Sequence, residues 1–293
     1  MGKKSFTGEE VYIGWGKTKF RCIFINKPNS FHKMSSSSSQ IKRKIFIAGN
    51  WKSNGDRAFV NKHCMFLTGV NVDKNTTELC LAPSNIYLLT CKTFLAHLFN
   101  ISAQNISQYD SGPYTGEVSA KQIKDLDVDW TMIGSSERRI LFNEDEAIIG
   151  KKIEQALNNK LNIILCIGDN KEAKESGKSN EMIKTQLNTG FEKINSNNWE
   201  NVVIAYEPIW ENEINTAITK EKVQEMHEFI RNEIKEKLGE EIADKVRIIF
   251  GGNVDENNCK ELILLKDVDG FLVGEPSTKA TFNNIIYSAK LKK

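Results

Sequence analysis

From Lys44 onward the chain alternates short runs of β-branched and other apolar residues with longer polar segments, several of them of helical period. The runs are Lys44 to Gly49, Glu78 to Ala82, Asn100 to Ala103, Trp130 to Ile133, Ile163 to Ile167, Val202 to Tyr206, Val246 to Phe250 and Gly270 to Val273. Short continuous apolar runs suit strands buried on both faces, and the long intervals suit the crossover helices that parallel strands need. Helices are predicted over Asp56 to Val70, Ser84 to Phe99, Glu144 to Asn159 and Thr219 to Leu238, the last with Thr219 as N-cap and Glu221 in its first turn. Eight such strands are the number that closes a (β/α)8 barrel, and 293 residues at 40% hydrophobic content can fill one large core. The reading is therefore a single barrel domain over residues 41–293 after an N-terminal extension, residues 1–40. A doubly wound sheet is the alternative that periodicity alone leaves open.

The extension differs from the body. Lys3, Lys4, Lys17, Lys19, Arg21, Lys27 and Lys33 face only Glu9 and Glu10, and a serine run from Ser35 to Ser39 follows. Such a basic, acid-poor, serine-ended segment reads either as an organellar transit peptide, plastid-type or mitochondrial, or as sequence ahead of a true start at Met34. In the second case the protein is expected in the cytoplasm. Val11 to Ile25 is apolar enough for a stray strand, but disorder is the expectation for the extension. The whole chain carries 40 Lys+Arg against 38 Asp+Glu, a formal charge of +2. That balance gives no reason to expect nucleic acid or an anionic membrane surface as a partner. No apolar run reaches the roughly 20 residues of a bilayer span. The six cysteines include no Cys-x-x-Cys and no His at metal-ligand spacing, so a reduced, metal-free protein is expected.

In a parallel barrel the reacting groups sit at the C-terminal ends of the strands. Asn50-Trp51-Lys52 follows the first run and places an amide and an ammonium where an anionic oxygen could be held. Tyr206-Glu207-Pro208-Ile209-Trp210 follows the sixth, a carboxylate next to a stiff hinge, which suggests a base beneath a lid. Phe250-Gly251-Gly252-Asn253 follows the seventh, and Gly274-Glu275-Pro276 the eighth; main-chain N–H groups there can cradle a phosphate.

These segments, with Ala103-Gln104-Asn105, Thr115-Gly116-Glu117, Gly134 and Ser136-Glu137-Arg138-Arg139, Cys166-Ile167-Gly168 and Asp269-Gly270-Phe271-Leu272-Val273-Gly274, resemble the triosephosphate isomerase family in order and spacing. The resemblance implies that Glu207 removes a carbon-bound proton from a triose phosphate, that Lys52 and Asn50 hold the substrate's negative oxygens, and that Glu137 orients Lys52. It implies phosphate contacts at the Glu213, Asn253, Gly274 and Glu275 positions, with no cofactor. It also implies a homodimer, with Thr115 at the tip of a loop from Ser107 that enters the partner's site.

The chain departs from the family at several of these points. Ser135 stands where the family's histidine polarises the substrate carbonyl. Of the four histidines, His32 lies in the extension and His63, His97 and His227 lie within predicted helices, where packing or surface roles are expected. A serine hydroxyl donates one hydrogen bond but does not titrate near neutrality, so it forgoes acid–base help worth roughly 10²- to 10⁴-fold. The lid has become Glu211-Asn212-Glu213-Ile214-Asn215-Thr216 at unchanged length, Phe250 and Asn253 replace the residues that latch it, and Glu275 replaces a glycine. Three carboxylates near a phosphate would repel it, unless Glu211, Glu213 and Glu275 point away as a solvated rim and leave their main-chain N–H groups available. The expected activity is therefore a slow triosephosphate isomerase; the alternative is a catalytically inactive relative with a binding or regulatory role.

Overall fold

A computed structural model describes residues 43–214 and 216–292. The extension, residues 1–40, and its apolar stretch lie outside the described residues. Eight strands form a closed parallel ring: β1 Ile45–Asn50, β2 Thr77–Ala82, β3 Asn100–Ala103, β4 Trp130–Ile133, β5 Asn162–Asp169, β6 Val202–Pro208, β7 Arg247–Phe250 and β8 Gly270–Val273. Each pairs with its sequence neighbours, and β8 returns to β1 through Phe46 opposite Gly270 and Ala48 opposite Leu272. That closure overturns the doubly wound alternative, whose sheet would have two free edges.

Alternation along each strand divides the core in two. Phe46, Ala48, Cys80, Ala82, Trp130, Met132, Ile164, Cys166, Val203, Ala205, Ile249 and Leu272 pack together inside the ring. Their neighbours Ile45, Ile47, Leu79, Leu81, Ile163, Leu165, Ile204, Ile248, Phe271 and Val273 face outward into the helices. Within the ring, at the N-terminal ends of the strands, Glu78 accepts from Asn100 Nδ2 at 2.7 Å and from Arg247, whose guanidinium lies 4.9 Å from the Phe46 ring centroid. Gly270, at φ 143°, is where β8 meets β1: an added Cβ would sit 1.8 Å from the Phe46 carbonyl oxygen, so no side chain fits.

The same end is riveted by charge. Asp269 accepts from Arg43 Nε and Arg231 Nη2 at 2.7 Å each and from the Ile248 N–H at 2.9 Å, and its own carbonyl receives the Phe46 N–H. Asp267 accepts from Arg231 Nε at 2.7 Å and from Gln224 at 2.7 Å. Buried carboxylates tolerate this setting because each is paired and hydrogen-bonded.

Helix starts follow local capping chemistry. Asp56 caps Arg57–Leu67, Asp145 caps Glu146–Asn158 and Thr219 caps Lys220–Leu238, each by accepting an N–H of the first turn. Ser119 and Gln122 form a capping box on Ala120–Asp125. One expected helix is corrected: Ser84 to Phe99 is a 3₁₀ turn, Asn85–Tyr87, followed by Leu88–Leu95. It stops early because the Leu98 and Phe99 N–H groups both fold back onto the Leu95 carbonyl, turning the chain into β3. Among the described residues no helix is long and apolar enough to cross a membrane.

Candidate active site

A cavity of about 430 Å³ opens at the C-terminal end of the ring, lined by Asn50, Lys52, Ser136, Glu207, Gly251, Gly252, Asn253, Gly274 and Glu275 among others. It draws on the ends of β1, β4, β6, β7 and β8, so residues far apart in sequence converge because parallel strands all end on one side.

Lys52 enters from the turn after β1. Its backbone is left-handed, φ 52°, a conformation a β-carbon disfavours. Two contacts hold it there: Asn50 Oδ1 accepts the Lys52 N–H at 2.9 Å, and Gln104 Nε2 donates to the Lys52 carbonyl at 2.8 Å. The ammonium is paired with Glu137. Burial alone would pull the Lys52 pKa down, but the Glu137 carboxylate, aided by Glu207, outweighs it and the pKa is raised. Reciprocally, burial pushes Glu137 up, yet the Lys52 hydrogen bond and charge prevail and leave it lowered. The pair therefore stays charged through the neutral range. Gly274 lies opposite; a Cβ there would be 3.8 Å from Lys52 Cε.

Glu207 sits within β6, one residue before its end, with its carbonyl packed tightly against Gly168 of β5. Its Oε2 accepts the Ser136 N–H at 2.9 Å. That N–H belongs to the first turn of the helix Ser136–Leu141, where main-chain donors lack intrahelical partners. Burial, reinforced by the negative charge of Glu137, raises the Glu207 pKa to about 7, against the opposing pull of the Ser136 N–H and Lys52. A carboxylate tuned to that value exchanges protons readily near neutrality.

The Ser136-Glu137-Arg138-Arg139 run proves to be four contacts in four directions. Ser136 holds Glu207 and Glu137 holds Lys52, Arg138 pairs with the buried Glu144 at 2.6 Å, and Arg139 donates to the carbonyls of Gly134 at 2.8 Å and Cys166 at 3.2 Å. Arg139 thereby ties the end of β4 to β5. Reading the sequence selected Glu137 and missed Ser136 and Gln104; the signal for Ser136 was its place at the first position of a helix after a strand end. Ser135 is buried and does not line the cavity.

The lid carboxylates part company. Glu211 is 2% exposed: Oε1 accepts the Ile218 N–H at 2.7 Å and Oε2 the Asn253 N–H at 2.9 Å, and burial raises its pKa against both bonds. Glu213, expected at the phosphate, lies outside the cavity and accepts the Lys171 N–H at 2.6 Å, at the start of another short helix. Glu275 lines the cavity, but its carboxylate turns to Lys279 at 2.8 Å and is lowered by that partner. Glu213 and Glu275 thus point away as a solvated rim, whereas Glu211 holds the Asn253 N–H of the cavity wall, one of the groups expected to meet a phosphate. Trp210 packs beneath the Lys174 ammonium, 4.0 Å from the ring centroid. His63 and His227 are buried packing residues; His63 Nε2 lies 2.9 Å from the Ser277 carbonyl, beside the turn that follows Gly274.

Thr115 is exposed in the loop after β3, whose neck is drawn together by the Ser107 N–H on the Val118 carbonyl at 2.8 Å. Tyr109 and Tyr114 stack across this loop with ring centroids 4.2 Å apart.

The family model described as triosephosphate isomerase matches residues 45–289. A triosephosphate isomerase of Paracoccidioides lutzii is 41% identical over 244 residues, covering 83% of this chain and 98% of that protein. One from Emericella nidulans is 37% identical over 244 residues, with the same two coverages. A match that spans the whole ring and takes in the strand ends lining the cavity places this chain in the triosephosphate isomerase family.

Proposed function

We propose that the protein interconverts dihydroxyacetone phosphate and glyceraldehyde 3-phosphate, slowly, by enolisation. The observation that carries this reading is that Glu207 and Lys52 line one cavity while Glu207 has a pKa of about 7. The Glu207 carboxylate takes a proton from the carbon beside the substrate carbonyl; the resulting negative oxygen lies against the Lys52 ammonium and the Asn50 amide. The protonated Glu207 then returns the proton to the neighbouring carbon, giving the isomer. Asn253, Gly274 and Glu275 line the same cavity and would take the phosphate through main-chain N–H groups. Without an imidazole, the proton shift between the two oxygens falls to water or to a hydroxyl, which is why turnover is expected to drop by roughly 10²- to 10⁴-fold against a family member that has one.

A second reading, a catalytically inactive relative with a binding role, draws support from the recessed Ser135 and from the Asn253 N–H already held by Glu211. A coupled isomerase assay on purified protein, run beside Glu207→Gln, separates the two. Activity that vanishes in the variant supports isomerisation; equal traces in both proteins leave the binding role.

The homodimer belongs to the same proposal. Ile86 in the 3₁₀ turn after β2, Tyr109 and Tyr114 in the loop after β3, and Leu141 and Phe142 at the end of the helix after β4 are large exposed apolar side chains on three successive segments that follow strand ends. Apolar segments of that kind suit a partner subunit, and the exposed Thr115 would reach toward its cavity.

A further inference from the structure

Glu211 fills a position for which the lid's sequence offers no obvious role. Its carboxylate bridges three segments: the helix Trp210–Ile214 that opens the lid, the Ile218 N–H where the lid ends, and the Asn253 N–H in the loop after β7. A fourth contact closes the loop on itself, the Thr216 N–H on the Glu211 carbonyl at 3.1 Å. The carboxylate rests over Gly252, where an added Cβ would come within 2.3 Å of the Phe250 ring and 2.4 Å of Oε2, so a side chain there would push one of them aside. Gly252 and Asn253 are themselves walls of the cavity.

A main-chain N–H beside a cavity that takes an anion is a natural anion donor, and here that donor is already engaged by an internal anion. We propose that Glu211 is a specificity-determining residue, a built-in carboxylate that withholds the Asn253 N–H and fastens the lid, so that an entering anionic group binds only by displacing it. This rests on the reading that the cavity receives a phosphorylated ligand. Two negative groups do not share one N–H, so ligand affinity is set by how readily Glu211 yields. The outward turns of Glu213 and Glu275 strengthen the point, because they leave Glu211 as the lid carboxylate that engages the cavity wall.

Inorganic phosphate titrated calorimetrically into the full chain, Glu211→Gln and Glu211→Ala tests this. A glutamine has one acceptor oxygen for two N–H donors and no charge, so at least about fivefold tighter phosphate binding is expected in Glu211→Gln. Equal or weaker binding in both variants would overturn the inference. Amide exchange in the unaltered chain provides a check that needs no variant. Saturating phosphate should speed exchange at Ile218, whose N–H loses its acceptor, and unchanged exchange there also counts against displacement. The isomerase assay on the unaltered chain stands apart from both measurements. Tightened phosphate binding without isomerisation would sink the proposed reaction and leave the role of Glu211 intact, whereas isomerisation with unchanged phosphate binding would do the reverse.

Discussion

Glu207 accepts the main-chain N–H of Ser136 at 2.9 Å, one residue beyond the serine that stands in the place of the family's histidine. The candidate base is thus anchored to the element that has lost its customary partner in catalysis. Its tether is the Ser136 backbone N–H, which no substitution at Ser135, and none at Ser136 short of proline, removes.

The pH dependence follows from Glu207. As a base it must be ionised, and its pKa is raised to about 7, so kcat/KM should fall as pH drops through neutrality, with a limb centred near that value. Stability should run the other way. A carboxyl whose folded pKa lies above its unfolded one holds its proton better when folded, so its contribution is full at low pH and is lost as pH rises through about 7. Glu207→Gln should therefore abolish turnover and yet be the more stable protein at pH 8, by about 2 kcal/mol after allowance for partial exposure, with the difference vanishing near pH 4. Urea titrations at the two pH values check it.

Lys52 combines an ammonium paired with Glu137 and an unfavourable backbone, and the proposed reaction requires that charge. Replacement by alanine or glycine should remove activity equally, since both lose the ammonium. Glycine tolerates φ 52°, so Lys52→Gly should be more stable than Lys52→Ala by about 1 kcal/mol. Equal unfolding midpoints would mean that the turn relaxes once the side chain is gone.

Ser135→His restores the ring that the family uses. If the remaining site is competent, kcat should rise by about 10²-fold in the isomerase assay. A gain that Glu207→Gln does not erase in the double variant would point to chemistry elsewhere.

How much of this was legible in the sequence differs by element. All eight strands lie within the apolar runs or a few residues of them, because a strand buried on both faces writes its own hydrophobicity into the chain. Lys52, Glu137 and Glu207 fall at strand ends and helix starts, where topology alone gathers them. The lid was opaque for a physical reason. Trp210–Ile214 is five residues long, too short for a period, and the directions of its carboxylates are set by N–H groups at Lys171, Ile218 and Asn253 that only the folded ring brings near. Ser84 to Phe99 was over-read as one helix because its apolar spacing continues past the point where Leu95 takes two N–H groups and turns the chain.

Association is tested by the exposed apolar segments. Sedimentation of the unaltered protein should show a dimer, and Ile86→Glu with Leu141→Glu should give monomers, since burying each of these side chains contributes about 1.5 to 3 kcal/mol that a carboxylate forfeits. Circular dichroism unchanged between the two proteins would show that the ring itself survives the loss of its partner.

The ring that returns β8 to β1 leaves no strand with an unpaired flank. Intruding chains therefore find no ladder to extend, and the barrel is spared the aggregation that threatens open sheets. Such a scaffold can carry different residues at its rim without opening a strand edge, and the serine at position 135 and the carboxylate at 211 sit on a ring closed in this way.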